Sequence, residues 1–335
     1  MRITIFEVEK WEQESFAQLE KEHELAMVSG PLTAANAGEH ADSQIVSTFI
    51  YSQLEGDVLS QLPELKLIAT RSTGVDHIDR GYCDEKGILV SNVPDYASHT
   101  VAEHVFGLLL TISHRLDEAI DRTRKGDFSQ EGLTGFDLRG RTLGVIGTGA
   151  IGRHVLQIGK GFEMSLLAHD VQPDEALARE LGFGYVSLEE LLRKADVVSL
   201  HVPGNEQTHH MIGAEQFAQM RRGAVLINTA RGSVVDMTAM MRTLAEDHIA
   251  GVGLDVLPEE PTVREEAELL RSLFHEEHDL QTLLADHVAL RLRNVIVTPH
   301  SAFNTREATT CILRTTCENI RAFLDGEPQN LVAPE

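Results

Sequence analysis

The chain has 335 residues, 42% of them hydrophobic and 24% charged, which are the proportions of an ordinary globular protein. Because its formal net charge is −23, it would be repelled by phosphate groups, and we exclude nucleic acids and anionic membranes as partners. Chains longer than roughly 250–300 residues usually divide into domains, so two domains are expected, and no apolar run reaches the roughly 20 residues of a membrane span.

Short apolar segments rich in β-branched residues alternate with helix-length polar segments along most of the chain. Such strands, spaced by helices, indicate parallel βαβ units. A last helix is predicted over Thr305–Leu324 and ends at Asp325 and Gly326. The predicted strands, in chain order, are Ile3–Phe6, Ile45–Phe49, Leu67–Thr70, Leu89–Ser91, Thr142–Gly147, Ser165–Ala168, Val197–His201, Ala224–Asn228, Gly251–Val256 and Val295–Thr298.

The order of these elements predicts an α/β protein with two doubly wound parallel sheets. A glycine-rich turn normally follows the first strand of a nucleotide-binding domain, and here it comes only at Gly147, so another α/β unit precedes that domain. We expect a discontinuous substrate domain over residues 1–99 and 301–335. A dinucleotide-binding domain is expected over residues 100–300, with a cleft between the two domains.

The glycine-rich segment runs from Gly147 through Thr148, Gly149, Ala150 and Ile151 to Gly152, after a predicted strand and before a helical pattern. Its first glycine allows a tight turn, its second lets the backbone approach a pyrophosphate, and its third allows close packing of helix and strand. Asp170 ends the next predicted strand, 18 residues after Gly152. A carboxylate there accepts ribose hydroxyls and repels a 2′-phosphate, so the pattern predicts NAD as the cofactor.

Three polar residues, Arg231, Glu260 and His300, follow the last three predicted strands. Because parallel strands deliver their carboxyl ends to one edge of a sheet, these side chains can converge. Reduction of a 2-oxo acid needs a cation that binds the carboxylate and an acid that protonates the developing alkoxide. Arginine has a planar fork that matches carboxylate, and a carboxylate partner favours the protonated form of histidine. Taken singly, Arg231 is more often an ion-pair residue, Glu260 a solvated loop residue and His300 a structural turn residue. All three at strand ends after a dinucleotide loop favour the catalytic interpretation.

The three cysteines, Cys83, Cys311 and Cys317, form no CxxC or Cys/His metal pattern, and a sparse, odd number is typical of a reducing compartment. Residues 1–6 predict a strand and not a signal peptide. We therefore expect a cytoplasmic protein. The segment 262–293 is rich in charge, and its His275 and His278 stand among glutamates, but a solvated acidic helix is favoured there over a metal site.

Several longer strings stand in one order along the chain: Gly147–Gly152, His201–Pro203, Asn228–Gly232, Gly253–Val256, Thr298–His300, Arg71–Asp79 and Val101–His104. Together they resemble the D-isomer-specific 2-hydroxyacid dehydrogenase family, and the resemblance covers nearly the whole chain. Within the family the chain most resembles the D-lactate dehydrogenases, and Tyr96 together with Ala302 and Phe303 after His300 supports this. The string Tyr96–His99 departs from the Tyr-Ser-Pro that is frequent in the family.

The resemblance implies two Rossmann-like domains and an NAD-dependent enzyme that interconverts a small 2-oxo acid and its D-2-hydroxy acid by hydride transfer. It implies that Arg231 binds the substrate, that Glu260 orients His300, and that His300 is the acid/base. The implied substrate site comprises Ser72, Thr73, Gly74, Val75, Tyr96, Arg231 and His300. The implied cofactor-binding residues are Gly147, Gly149, Ala150, Ile151, Gly152, Asp170, His201, Val202, Pro203, Thr208, Thr229, Ala230, Arg231, Asp255 and His300.

The resemblance also implies a homodimer that forms through the helical region 101–125. The apolar side of that region fits this interpretation, although a contact within the core of one chain explains the pattern equally well. Two other functions stay open: a glyoxylate or hydroxypyruvate reductase with the same catalytic residues, and an NAD-sensing module that binds other proteins. The apolar residues on that side are Val101, Val105, Leu108, Leu109 and Ile112.

Overall fold

A computed structural model of the chain describes residues 1–20, 23–96, 98–258, 289 and 292–333. The chain divides into two compact units, the first formed by Met1–Tyr96 with Thr305–Glu335 and the second by Ala97–Asn304. The two points at which the chain passes from one unit to the other lie three and four residues from the expected domain boundaries. At the second of these points, Ser301 and Ala302 donate backbone hydrogen bonds to Asp255 and so belong with the second unit.

The first unit contains a five-stranded sheet in the order β2-β1-β3-β4-β5, in which every neighbouring pair is parallel. Its strands are β1 (Arg2–Ile5), β2 (Glu24–Met27), β3 (Ile45–Ser47), β4 (Leu67–Ala69) and β5 (Leu89–Ser91). Its helices are α1 (Gln13–Phe16), α2 (Gly56–Leu59), α3 (Arg80–Lys86) and, in the numbering used below, α11 (Arg306–Leu324).

Helix α11 confirms the last predicted helix. The side chain of Thr305 accepts a hydrogen bond from the backbone of Ala308 and satisfies one of the donors at the start of the helix. The helix ends at Leu324, and Gly326 has a φ of 83°, a left-handed conformation that glycine adopts without strain.

The second unit contains a seven-stranded sheet in the order β12-β11-β10-β9-β6-β7-β8, again with every neighbouring pair parallel. Its strands are β6 (Thr142–Ile146), β7 (Ser165–His169), β8 (Gly184–Tyr185), β9 (Val197–Leu200), β10 (Ala224–Asn228), β11 (Ile249–Leu254) and β12 (Val295–Val297). Its helices are α4 (Ser98–His114), α5 (Leu116–Arg124), α6 (Ala150–Gly161), α7 (Glu175–Leu181), α8 (Leu188–Lys194), α9 (Ala214–Gln219) and α10 (Met237–Ala245).

The two sheets confirm the predicted α/β fold and all ten predicted strands, whose ends lie within two residues of the expected positions. Two strands were missed, β2 and β8, and both lie at a sheet edge. An edge strand has one neighbour and is partly exposed, so its sequence lacks the continuous apolar character of a central strand. None of the helices in the described ranges is long and apolar enough to cross a membrane.

The apolar side of α4 packs within the second unit. Val105, Leu108 and Leu109 are buried in one cluster with residues of β6 and β10, such as Val145 and Ile227. The apolar pattern allowed either a dimer interface or a contact within the core of one chain, and the core contact is the one observed. That side of the helix is therefore not a free surface.

Leu226 lies at the centre of β10 and is 0% exposed, whereas Leu331 is 43% exposed. Leu226→Ala is expected to lower the free energy of unfolding by about 2–5 kcal/mol, because a buried cavity replaces the side chain. Leu331→Ala is the matched control and should change it by at most about 0.5 kcal/mol. Urea titration followed by circular dichroism measures both, and equal losses would contradict the core placement of Leu226.

Candidate active site

Six neighbouring strands of the second unit end at the same edge of its sheet, because all of them run parallel. Every catalytic or cofactor residue predicted in this unit and described in the structure follows one of these strand ends. From one side of the sheet to the other, the strand ends lead to His300 after β12, Asp255 after β11, Thr229–Arg231 after β10, His201–Pro203 after β9, Gly147 after β6 and Asp170 after β7.

The glycine-rich segment lies where the sheet changes its direction of growth, between β6 and β9. Gly147 has a φ of 90°, and a Cβ there would lie 2.6 Å from the carbonyl oxygen of His201. A Cβ at Gly152 would lie 2.0 Å from the carbonyl oxygen of Gly147. The first and third glycines are therefore required by contacts within the protein, and their loop occupies the usual ligand-binding position of such sheets.

Gly149 differs from these two glycines, because, apart from its neighbours in the chain, no protein atom within the described ranges lies within 4 Å of the position that its Cβ would take. Its φ of −64° and ψ of −158° are open to other residues. Gly149 immediately precedes α6, whose first N–H groups have no acceptor within the helix and favour an anion. Internal packing does not explain this glycine, whereas close approach of a ligand does.

Asp170 is held in place by donors from its own unit. Its Oδ2 accepts hydrogen bonds from the backbone N–H of Thr148 at 2.6 Å and from the Thr148 hydroxyl at 2.9 Å, and its Oδ1 accepts one from the backbone of Gln172 at 2.8 Å. Burial opposes ionisation, but these hydrogen bonds outweigh it and lower the pKa of Asp170. The carboxylate is therefore charged at neutral pH.

Two predicted cofactor residues have buried polar atoms with no partner in the described part of the chain, namely Nδ1 of His201 and Oγ1 of Thr229. The other ring nitrogen of His201, Nε2, lies 2.8 Å from the hydroxyl of Ser199. Burial lowers the pKa of His201 to about 3, so its ring is neutral. Buried polar atoms without partners are uncommon, and both of these follow strands that lead to the same edge.

The loop of Arg231 is fixed by a buried side chain at the end of β10. The amide of Asn228 donates from Nδ2 to the carbonyl of Arg231 at 2.9 Å and accepts at Oδ1 from the backbone of Ala230 at 3.0 Å. A Cβ at Gly232 would lie 2.2 Å from the carbonyl carbon of Leu257. This close approach places the Arg231 loop directly against the segment that follows β11.

His300 lies in a tight turn with a φ of 50°, a conformation that costs a residue other than glycine about 1–3 kcal/mol. Its backbone N–H donates to the carbonyl of Thr298 at 3.0 Å. Asp255, which is 1% exposed, accepts hydrogen bonds from the Thr298 hydroxyl and from the backbone of Ser301 and Ala302. One buried carboxylate therefore binds the backbone or side chain of residues on both sides of His300.

The Ser72–Val75 segment of the first unit follows β4. The hydroxyl of Ser72 donates to the carbonyl of Gly74, and the hydroxyl of Thr73 donates to the carbonyl of Val93. The four backbone N–H groups of residues 72–75 donate to no acceptor in the described part of the chain. A row of open amides suits an anionic ligand. Tyr96 is half-buried at the end of this part of the unit.

Some predicted positions are not placed at a site. Glu260 lies outside the described residues, as do His275 and His278. The hydroxyl of Thr208 donates to the carbonyl of Pro203 at 2.6 Å and so closes the turn after β9. The described ranges contain no group of three or more residues that could hold a metal ion.

Two residues at this edge were missed by sequence reasoning. Asn228 belongs to a recognised string, but the side-chain bonds that fix the Arg231 loop become visible only in the fold. Val171 directly follows Asp170 and is 89% exposed. An exposed apolar residue next to Asp170, at the end of a strand, is a sequence signal that reasoning from the motifs did not use.

Comparisons with known proteins agree with this geometry. A family model described as the NAD binding domain of D-isomer specific 2-hydroxyacid dehydrogenases matches residues 106–302. The chain is 36% identical to a D-lactate dehydrogenase of Escherichia coli strain K12, over 99% of this chain and 100% of that protein. It is 37% identical to a glyoxylate reductase of Korarchaeum cryptofilum, over 88% of this chain and 84% of the relative.

Among solved structures, a D-lactate dehydrogenase from Aquifex aeolicus, complexed with NAD and lactic acid, matches with a TM-score of 0.87 and 38% identity. The match covers 97% of this chain and 96% of that one. The chain therefore belongs to the D-isomer specific 2-hydroxyacid dehydrogenase family, and it is an NAD-dependent oxidoreductase. The family, the enzyme class and the cofactor predicted from the sequence are confirmed.

The residues present fit NAD. The open backbone at Gly149, the charged carboxylate of Asp170 and the partnerless atoms of His201 and Thr229 all belong to strand ends of one sheet edge. The start of α6 would accept an anionic group of the ligand. The polar atoms of His201 and Thr229 would bind neutral polar groups of the ligand beside β9 and β10.

Gly149→Ala is expected to weaken NADH binding by about tenfold or more, equivalent to about 1.4 kcal/mol, because a methyl group would enter the space of the ligand. The melting temperature should stay close to that of the wild type, since no described atom is near. Gly152→Ala is the comparison and should lower the melting temperature as well. Fluorescence titration of NADH and differential scanning fluorimetry measure the two effects, and a melting loss in Gly149→Ala would contradict the interpretation.

Proposed function

We propose that this enzyme reduces pyruvate or a similar small 2-oxo acid to its D-2-hydroxy acid, and catalyses the reverse reaction. The observation that supports this most is the order of residues along one sheet edge, with His300 and Arg231 toward β12 and the glycine-rich segment and Asp170 toward β7. A nicotinamide dinucleotide is elongated, so its two ends need protein groups at separate positions along such an edge.

Within this proposal, Arg231 and the open amides of Ser72–Val75 bind the substrate carboxylate. Arg231 also polarises the ketone, because its cationic fork attracts the developing negative charge. His300 donates a proton to the alkoxide during reduction and takes the hydroxyl proton during oxidation. Glu260 orients His300. When bound, NAD supplies the hydride acceptor of the oxidation, and its reduced form supplies the donor.

The remaining cofactor roles are proposed in the same way. Asp170 accepts hydrogen bonds from the adenosine ribose, residues 201–203 line the adenine side, and the amides around Ala150 and Ile151 bind the pyrophosphate. Asp255 contacts the nicotinamide carboxamide and also holds the turn of His300. The other proposed cofactor contacts come from Thr208, Thr229, Ala230, Arg231 and His300. Residues 1–99 with 301–335 form the substrate domain, and residues 100–300 form the cofactor domain.

The substrate preference rests on the relatives. A D-lactate dehydrogenase aligns with almost the whole chain, and this favours pyruvate and D-lactate as the substrate pair. A glyoxylate reductase is 37% identical over 88% of this chain, so reduction of glyoxylate or hydroxypyruvate is the second candidate activity. Both reactions use the same catalytic residues and differ in the group beyond the ketone.

Purified enzyme is expected to oxidise NADH in the presence of pyruvate, and His300→Ala should lower kcat by about a hundredfold to ten-thousandfold, the usual contribution of acid–base catalysis. Absorbance at the NADH band, recorded with pyruvate, phenylpyruvate, hydroxypyruvate and glyoxylate, measures activity and preference. NADH affinity in His300→Ala, followed by fluorescence, controls for folding. Normal NADH binding without turnover of any 2-oxo acid would refute the proposal, and so would activity on the L-isomer alone.

We also propose that the protein is a cytoplasmic homodimer that forms through the region 101–125 and its neighbours. Exposed apolar side chains support this surface, since Leu116 and Ile120 on α5 are exposed and Phe128 is 79% exposed.

Sedimentation velocity is expected to give the mass of a dimer. The double variant Leu116→Glu with Ile120→Glu should be monomeric, because two charges would have to be buried at the interface. Trp11 is exposed in the first unit, and Trp11→Glu is the matched control that should remain dimeric. A wild-type protein that sediments as a monomer at micromolar concentration would exclude the dimer.

A further inference from the structure

The Val101–His104 string has no part in the reaction as proposed above. His104 lies in α4, and its Nε2 is 2.9 Å from the hydroxyl oxygen of Thr298 and 3.5 Å from Oδ1 of Asp255. Thr298 stands two residues before His300. Asp255 is the carboxylate that binds Thr298 and the two backbone amides after His300. His104 therefore contacts the residues that hold the turn of the acid/base in place.

The direction of these hydrogen bonds follows from counting hydrogens. Thr298 has one hydroxyl hydrogen, which it donates to Asp255 Oδ1, since a carboxylate can only accept. The Thr298 oxygen can then act toward His104 only as an acceptor. Nε2 of His104 must therefore carry a hydrogen and donate it to the Thr298 oxygen. The chain of donors runs from His104 through Thr298 to Asp255.

We propose that His104 is a positioning residue for His300 and acts through Thr298 and Asp255. This inference rests on the proposed role of His300 as the acid/base. The left-handed backbone of His300 persists only where its surroundings determine it, and Asp255 supplies those bonds on both flanks.

Loss of the His104 N–H removes one donor from a network around a carboxylate that has almost no contact with solvent. Buried polar networks need every member to be satisfied, so Thr298 and Asp255 would rearrange when this donor is lost. The turn would then no longer hold the imidazole of His300 in the geometry that proton transfer requires. Small displacements of this kind reduce the rate of a chemical step much more than they reduce ligand affinity.

The first test compares three variants in steady-state kinetics. His104→Phe keeps a planar ring without a donor and is expected to lower kcat by about tenfold to a hundredfold, and the Kd for NADH should change by a smaller factor than kcat. His104→Gln carries an amide N–H at a similar reach and should recover most of the lost kcat. His99 is exposed in the same helix, and His99→Phe is the matched control that should retain wild-type kcat.

The second test does not depend on turnover. The backbone amides of Ser301 and Ala302 donate to Asp255, so their hydrogen–deuterium exchange reports directly on the turn. His104→Phe should increase exchange in a peptide that contains these two residues, and His104→Gln should restore protection. The amide of Thr148, which donates to Asp170 on the other side of the sheet, should exchange at the wild-type rate in both variants.

A double-mutant cycle identifies the route of the effect. Thr298→Val removes the hydroxyl that connects His104 to Asp255, so adding His104→Phe to it should cause no further loss of kcat. Losses that multiply would overturn the route through Thr298. A lower melting temperature in His104→Phe with wild-type kcat and wild-type exchange would overturn the positioning role. If wild-type enzyme reduces no 2-oxo acid, the proposed function fails, while the exchange measurement still decides whether His104 supports the turn.

Discussion

The parallel arrangement of all neighbouring strands in the seven-stranded sheet is the constraint on which the site depends. It brings six strand ends to one edge, although the residues that follow them are spread over nearly half of the chain, from Gly147 to His300. The order along that edge is not the order of the sequence, because the sheet grows in both directions from β6. The residues proposed for the two ends of a dinucleotide are thereby placed at separate positions along the edge.

Two of these strands end in the same way. Asn228 at the end of β10 and Asp255 after β11 are buried polar side chains that bind the backbone of a loop with a proposed catalytic residue. Burial of a polar group is unfavourable unless its hydrogen bonds are made, so the bonds to the loop are strongly favoured. The loops of Arg231 and His300 are thus each held by a buried side chain at a strand end.

The sequence allowed the central strands, the glycine-rich loop and Asp170 to be predicted, because each depends on neighbours that are close in the chain. The edge strands β2 and β8 escaped prediction, since partial exposure leaves only a weak apolar pattern. The second role of Asp255 escaped it as well. Its acceptors serve Ser301 and Ala302, which are 46 and 47 residues away, and no local pattern encodes such a pairing. The open amides at residues 72–75 are likewise a property of the folded backbone.

The hydrogen bonds of Asp170 have a consequence for engineering the coenzyme preference. In many dinucleotide-binding domains the acidic residue at this position is replaced to admit the 2′-phosphate of NADP. Here the same carboxylate also accepts the backbone N–H groups of Thr148 and Gln172, and the first of these belongs to the glycine-rich loop. An apolar or basic replacement has no acceptor for those donors and would loosen the loop. A switch to NADP therefore has to redesign the loop together with the charge.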